Sequence, residues 1–373
     1  MINLKIINNE NKIKTISLFS GAGGLDTGAI MAGAHIVWAN DMMKEACMTY
    51  SENIGNHIVR GDINNFFGEI SEIKDVDLVI GGPPCQGFSV AGKMNIDDER
   101  SKLVWSYEKV ISVVRPKAFV MENVKALGRL TKWEPIRTKL LADFRNLGYC
   151  VDFVILTASD FDVPQNRERV FFVGFKGDSL KEPDLELMME TYRKKAQTVR
   201  QALSVLDKAG TGNNTEVCKA KITLAEHPIL RKSPYAGMLF NGLGRPTRID
   251  GYSATLPASM GGNKTPIIDE SELYYGKEPW VKEYHEKIMK DPSSAKFGPA
   301  PSFLRRLTVK EAAVLQTFPL GYKFCGGQSA KYTQIGNAVP CNLGRAVVKM
   351  VIDVLNNKNA IKFKKKDIQL RLL

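Results

Sequence analysis

The sequence predicts an α/β protein built on a doubly wound, largely parallel sheet, with a smaller module inserted late in the chain. Three observations carry this. Short apolar, β-branched runs alternate with helix-length segments through the first 180 residues. Those runs are continuously apolar, as expected of strands buried on both faces. Near residue 207 the composition shifts to Gly, Pro, Asn, Ser and Thr, and helical periodicity returns only after 303.

Taken in order, TISLF (15–19), HIVWAN (35–40), VDLVIGG (76–82), KAFVMENV (117–124), CVDFVIL (150–156) and RVFFVGF (169–175) read as buried strands. SKLVWSYEKVISVV (101–114) and EPIRTKLLADFRNLG (134–148) read as helices between them. This alternation calls for crossover helices and hence parallel neighbours. Short apolar runs among turn residues predict loops and short strands over 207–302. TVKEAAVLQTF (308–318) and NLGRAVVKMVIDVLNN (342–357) read as helices again. The expected organisation is one domain made of residues 1–206 and 303–373, interrupted by the module at 207–302.

The 373 residues are 44% hydrophobic and 25% charged, which excludes a disordered chain. The longest apolar runs, such as VDFVILTA (151–158), fall far short of the roughly 18–20 residues of a membrane helix. The start, MINLKIINNENKIK, has no apolar stretch typical of a secretory signal. The six cysteines form no CxxC pair and the four histidines are scattered, so neither a zinc site nor any other metal is expected. A reduced, cytoplasmic protein is the expectation. Charge says more: residues 1–180 carry a net −1 and residues 181–373 a net +13. Such asymmetry points to a polyanionic partner, nucleic acid first.

Four motifs bear chemistry-rich residues. TISLFSGAGGLDTG (15–28) runs from a strand through a glycine turn into a helix, where backbone N–H groups can meet a nucleotide-like ligand. It is not the dinucleotide fingerprint, because Asp26 stands at the third glycine position. Asp41 ends the next strand about 20 residues on, as a ribose-binding acid does, and Asp62 ends the following unit. Together they indicate a nucleoside cofactor. DLVIGGPPCQGFSVAG (77–92) sets Cys85 in a proline corner at a strand's carboxyl end, a placement that favours a nucleophile over a buried spectator. The loop after it, through about residue 100, is Gly- and Asp-rich. In VMENV (120–124), Glu122 and Asn123 end another strand, as site residues or as a plain turn pair. In VPQNRERVFFVG (163–174), Arg167 and Arg169 alternate onto one side, suited to phosphate or base contacts or else to an ion pair with Glu168.

In this order GPPCQ, ENV, QxRxR and QIGNAVP (334–340) resemble the DNA cytosine-5 methyltransferase family, which includes the enzymes of bacterial restriction–modification systems. RRLTVKEAAVLQTFP (305–319) also resembles the family's penultimate motif, and the matches run from residue 15 to about 347. The resemblance implies the Rossmann-like fold of S-adenosylmethionine-dependent methyltransferases and a site-specific methyl transfer to carbon 5 of cytosine in double-stranded DNA. It places Phe19, Gly21, Gly23, Asp41, Met42, Asp62, Ile63, Pro84 and Asn337 around the cofactor. Met42 stands where some members carry an aromatic ring against adenine. Cys85 becomes the nucleophile, Glu122 the acid at the ring nitrogen, and Arg167 and Arg169 supports for the target. Gln86, Ser89, Thr255 and Leu256 would meet DNA, the last two in the Thr-Leu signature of SATLPASMGGN (253–263). QIGNAVP would fold back beside the glycine turn. Residues 207–302 become the target-recognition domain of a monomer, and a restriction endonuclease for the same site its counterpart.

The chemistry suits these residues on its own terms. Carbon 5 of cytosine is a poor nucleophile; thiolate addition at carbon 6 turns the ring into an enamine-like species that accepts a methyl group. An acid at nitrogen 3 assists, preferably one with a raised pKa. The base must first leave the duplex stack, at a cost of a few kcal/mol, and the loop after Cys85 is the expected cover. A transfer-RNA methyltransferase of the same fold would carry a Cys-Phe-Thr tripeptide in its target region, which is absent here. A catalytically dead DNA-binding scaffold is opposed by the retained Cys85, Glu122 and Arg167.

Overall fold

The computed structural model describes residues 12–84 and 102–364. Its first half runs β1 (Ile13–Leu18), α1 (Gly24–Ala32), β2 (Ala34–Asp41), α2 (Lys44–Asn53), β3 (Ile58–Arg60), α3 (Phe67–Ser71), β4 (Leu78–Gly81), α4 (Leu103–Val114), β5 (Ala118–Val124), α5 (Lys125–Arg129), α6 (Glu134–Asn146), β6 (Tyr149–Thr157), β7 (Gln165–Asn166) and β8 (Glu168–Lys176). Seven strands form one sheet in the order β3-β2-β1-β4-β5-β8-β6. The β1–β2, β1–β4, β2–β3 and β4–β5 pairs are parallel. β8 runs antiparallel between β5 and β6. All six expected strands are present. β3, only three residues long, was not among them.

Both faces of the sheet are covered, which explains the continuous apolar runs. In β4, Leu78 and Ile80 join one core and Val79 the other. In β5, Ala118 and Val120 face the first core, and Phe119 and Met121 the second. Phe119 sits among Phe144 and Tyr149, with ring centroids 4.3 and 5.2 Å away. Its ring occupies the space over Gly174, its register partner on β8.

The second half continues α7 (Leu185–Met189), α8 (Val199–Leu203), β9 (Thr223–Ile229), β10 (Met238–Phe240), β11 (Ser253–Ala254), β12 (Ile267–Asp269), α9 (Glu270–Tyr275), α10 (Trp280–Lys290), β13 (Gly298–Pro299), β14 (Leu304–Arg306), α11 (Val309–Leu315), α12 (Gln328–Asn337) and α13 (Cys341–Leu355). Here the expectation of loops and short strands alone was incomplete. β10-β9-β13 form a small sheet, but α9 and α10 lie between its strands in the chain. The Asp269 carboxylate caps α9, accepting the Ser271 and Glu272 N–H groups at 2.9 and 3.2 Å. α10 buries Val281, Tyr284 and Ile288 against Leu239, Phe240 and Leu304, an i, i+3, i+7 stripe.

The return toward the main sheet is completed only at α13. β14 pairs with β12, and residues of α11 and α12 share a core with Leu256, Ile268 and Leu273. α13 then packs on α1 as closely as backbones allow. A Cβ on Gly28 would lie 2.3 Å from the Cys341 carbonyl oxygen and 2.6 Å from the Arg345 nitrogen. Among the described residues, no helix is long and apolar enough to cross a membrane.

Candidate active site

One edge of the sheet collects the residues of interest. β2, β1, β4 and β5 lie side by side and end toward it, and antiparallel β8 starts there. The registers Leu18↔Gly81, Gly81↔Met121 and Val124↔Arg169 align the glycine turn, the proline corner, Glu122 and the two arginines. Carboxyl ends of parallel strands are where open α/β sheets bind ligands.

On the cofactor side, the turn after β1 is held in shape by Asp41. Its carboxylate accepts the Gly21 N–H and the Met43 N–H, each at 2.8 Å. Phe19, Gly21 and Gly23 all take positive φ, with Gly23 at the start of α1. A Cβ on Gly21 would meet nothing within 4 Å, so the turn opens on free space. Asp62 accepts both bonds from Asn64 on Oδ1, which leaves Oδ2 without a partner among the described residues. Asn40, overlooked in the sequence, sets this spacing: its amide donates to the Val59 and Gly61 carbonyls at 2.9 and 3.0 Å. Met42 is exposed, Phe19 half-buried and Ile63 in the core.

Asn337 is exposed at the end of α12, just before Ala338 and Val339, which crowd Gly24. The chain's far end therefore does return to the glycine turn. Two acids, backbone N–H groups at a helix start and an open turn make a donor and acceptor set that fits a nucleoside cofactor with an amino-acid tail. Burial raises the Asp41 carboxyl above the usual range, against its backbone hydrogen bonds.

On the other side, Glu122 is buried and accepts the Arg169 Nε–H at 2.9 Å. Its Oε2 lies 3.1 Å from where a Cβ on Gly82 would stand, so the carboxylate abuts the corner leading to Pro83 and Pro84. Burial raises its pKa, and the Arg169 and Arg167 charges oppose that rise. Asn123, a strand-end residue given no role from sequence, donates from Nδ2 to the Pro83 carbonyl at 3.1 Å.

Arg167 is buried and donates to the Leu256 carbonyl at 3.3 Å. Glu168 pairs with Lys125 at 2.5 Å, while the Arg169 ion pair is with Glu122. β11 pairs with β7 and fixes the Thr-Leu segment beside them. Thr255 is exposed and donates to the Asn166 carbonyl at 3.2 Å. Leu256, expected at the DNA surface, is 1% exposed: its apolar side chain joins the core it shares with α11 and α12, and its N–H donates to the Gln165 side-chain oxygen at 3.1 Å. Cys85, Gln86, Ser89 and the loop that follows lie outside the described residues.

The sequence profile of C-5 cytosine-specific DNA methylases matches residues 13–353. The chain belongs to that family. As a C-5 cytosine-specific DNA methylase it is a DNA methyltransferase and uses S-adenosylmethionine, the family's methyl donor. It is 33% identical over 349 residues to the type II methyltransferase M.NgoFVII of Neisseria gonorrhoeae, covering 89% of this chain and 84% of that one. It is 31% identical over 354 residues to the type II methyltransferase M.FnuDI of Fusobacterium nucleatum, covering 94% and 97%. The crystal structure of the S. pombe Dnmt2 methyltransferase shares the fold, with a TM-score of 0.63 at 19% identity over 93% of this methylase and 100% of that chain.

Proposed function

We propose that this methylase is the site-specific modification enzyme of a restriction–modification pair, acting as a cytoplasmic monomer on duplex DNA with Cys85 as its nucleophile. The type II relatives along nearly the whole chain support the biological role, with an endonuclease for the same site as counterpart. The observation that carries the residue roles is the seating of Glu122 against the Gly82–Pro84 corner, one residue before Cys85.

In this reading the Cys85 thiolate bonds to carbon 6 of the flipped-out cytosine while Glu122 gives a proton or hydrogen bond to nitrogen 3. Bound S-adenosylmethionine supplies the methyl group for carbon 5. Loss of the carbon 5 proton then expels the thiolate and restores the aromatic ring. Arg169 holds Glu122 in place, and Arg167 ties the Thr-Leu segment to the site through the Leu256 carbonyl. Asp41 takes the ribose hydroxyls and Asp62 the adenine side. Phe19, Gly21, Gly23, Met42, Pro84 and Asn337 complete the cofactor's surroundings. Residues 207–302, within the half that carries the +13 charge, read the target.

Bisulfite sequencing of DNA from cells expressing the chain tests this directly. Protected cytosines should fall at one short recurring sequence and disappear with Cys85→Ala. Protection without a recurring sequence, or none, would contradict site-specific methylation.

A further inference from the structure

The QNRER and LQTFP runs each contribute a glutamine that the chemistry above leaves unused: Gln165 on β7 and Gln316 at the end of α11. Both are 0% exposed. A primary amide brings an acceptor oxygen and two donor hydrogens, and leaving them unmet in a core is costly. Here the two amides satisfy each other and four backbone groups. Gln165 Oε1 accepts the Leu256 N–H at 3.1 Å. Gln165 Nε2 donates to Gln316 Oε1 at 3.1 Å and to the Leu315 carbonyl at 3.4 Å. Gln316 Nε2 donates to the Ile335 and Ala338 carbonyls at 2.6 and 3.2 Å. The direction of each amide is fixed, because only an oxygen can accept the Leu256 N–H and only N–H groups can meet the carbonyls.

The two ends of this chain of bonds lie at different parts of the site. At one end, Leu256 follows the exposed Thr255. At the other, Ala338 follows Asn337 and presses on the glycine turn: a Cβ on Gly24 would lie 2.9 Å from the Ala338 Cβ and 2.5 Å from the Val339 carbonyl oxygen. A second, independent contact joins the same two segments. A Cβ on Gly336 would lie 2.6 Å from the Ala258 nitrogen and Cα, so α12 and the stretch after the Thr-Leu pair touch backbone to backbone. Close-packed backbones move together or not at all, and amides in series reinforce one another.

We propose that Gln165 and Gln316 are positioning residues that hold the Thr-Leu segment and the cofactor turn in one register, so that duplex and cofactor strengthen each other's binding. The proposal rests on the reading that Asn337 borders the cofactor and Thr255 the duplex.

Calorimetry on the full chain gives S-adenosylhomocysteine affinity without duplex and with a saturating duplex carrying the methylated site. The duplex should tighten binding by about 5–150-fold, the usual span of coupling between two sites. Gln165→Met and Gln316→Met, similar in length but without the amide, should each bring that ratio close to one. The double variant should lose no more coupling than either single variant, because the amides act in series; two separate structural defects would add. In the unaltered chain, which needs no variant to fold, S-adenosylhomocysteine alone should slow exchange of the Leu256 amide proton several-fold, and more than that of the Phe240 amide in β10. A wild-type ratio near one, additive losses in the double variant, or Leu256 exchange indifferent to S-adenosylhomocysteine would overturn the proposal. Asn337→Ala and Thr255→Ala test the reading beneath it, through cofactor and duplex affinity respectively. If both affinities are unchanged, that reading falls and the proposal with it; if both weaken while the glutamine variants keep the wild-type ratio, the proposal alone falls.

Discussion

Asn123 and Pro83 are joined by a single hydrogen bond, 3.1 Å from the Asn123 amide to the Pro83 carbonyl. It links the end of β5 to the corner that leads into Cys85. Asn123→Ala should therefore misplace the corner and lower single-turnover methylation by up to about 10²-fold. Cofactor affinity should hold, because the Asp41 side is untouched. A rate within twofold of wild type would remove Asn123 from any positioning role.

Glu122→Gln should lower kcat by about 10²–10⁴-fold, the usual range for one general acid, with little change in DNA affinity. The pH dependence follows from the raised pKa of Glu122. The protonated acid persists closer to neutrality than an ordinary carboxyl and is lost as pH rises through the shifted value, so kcat should fall on the alkaline side. The folded protein also holds this proton more tightly than the unfolded chain, so the associated stability is present at low pH and lost over the same rise. An unchanged alkaline limb in the variant's pH–rate profile would contradict the assignment.

Asp41→Ala should weaken S-adenosylmethionine binding by about 1.5–3 kcal/mol, the value of hydrogen bonds to a charged acceptor. It also frees the Gly21 and Met43 N–H groups that the carboxylate now holds. Unchanged affinity by calorimetry would take Asp41 out of the cofactor site.

Much of this was legible in the sequence because burial on two faces leaves an unmistakable mark. The runs at β4 and β5 are apolar throughout because both faces are covered. β3 was too short to show one. α10 was hidden by the Gly- and Pro-rich composition around it, although Val281, Tyr284 and Ile288 follow helical spacing. At the site, acids at strand ends were visible. The Asn40 amide was not marked, and Asn123 was named only as a strand-end partner of Glu122, because the partners of both are backbone carbonyls whose positions only the fold decides. Leu256 was expected to meet DNA from its motif position, which says nothing of which side chain turns inward, and its side chain is buried.

Gly28→Ala tests whether the two ends of the chain hold one pocket together. The added Cβ would collide with the Cys341 and Arg345 backbone, which cannot move aside as a flexible side chain can. A loss of about 1–3 kcal/mol in denaturant unfolding is expected, as for an overpacked core, accompanied by weaker cofactor binding. Wild-type stability would show that α1 and α13 are not so tightly coupled.

The central claim, covalent methyl transfer to a flipped cytosine through Cys85, is tested most directly with a duplex containing 5-fluorocytosine at the target. Fluorine cannot leave as a proton, so the thiolate cannot be expelled once the methyl group has moved. The enzyme should form a denaturation-resistant complex that requires S-adenosylmethionine, maps to Cys85 by peptide mass and vanishes in Cys85→Ala. Trapping on fluorocytosine-containing transfer RNA but not on the duplex, or no trapping despite intact cofactor binding, would contradict the account.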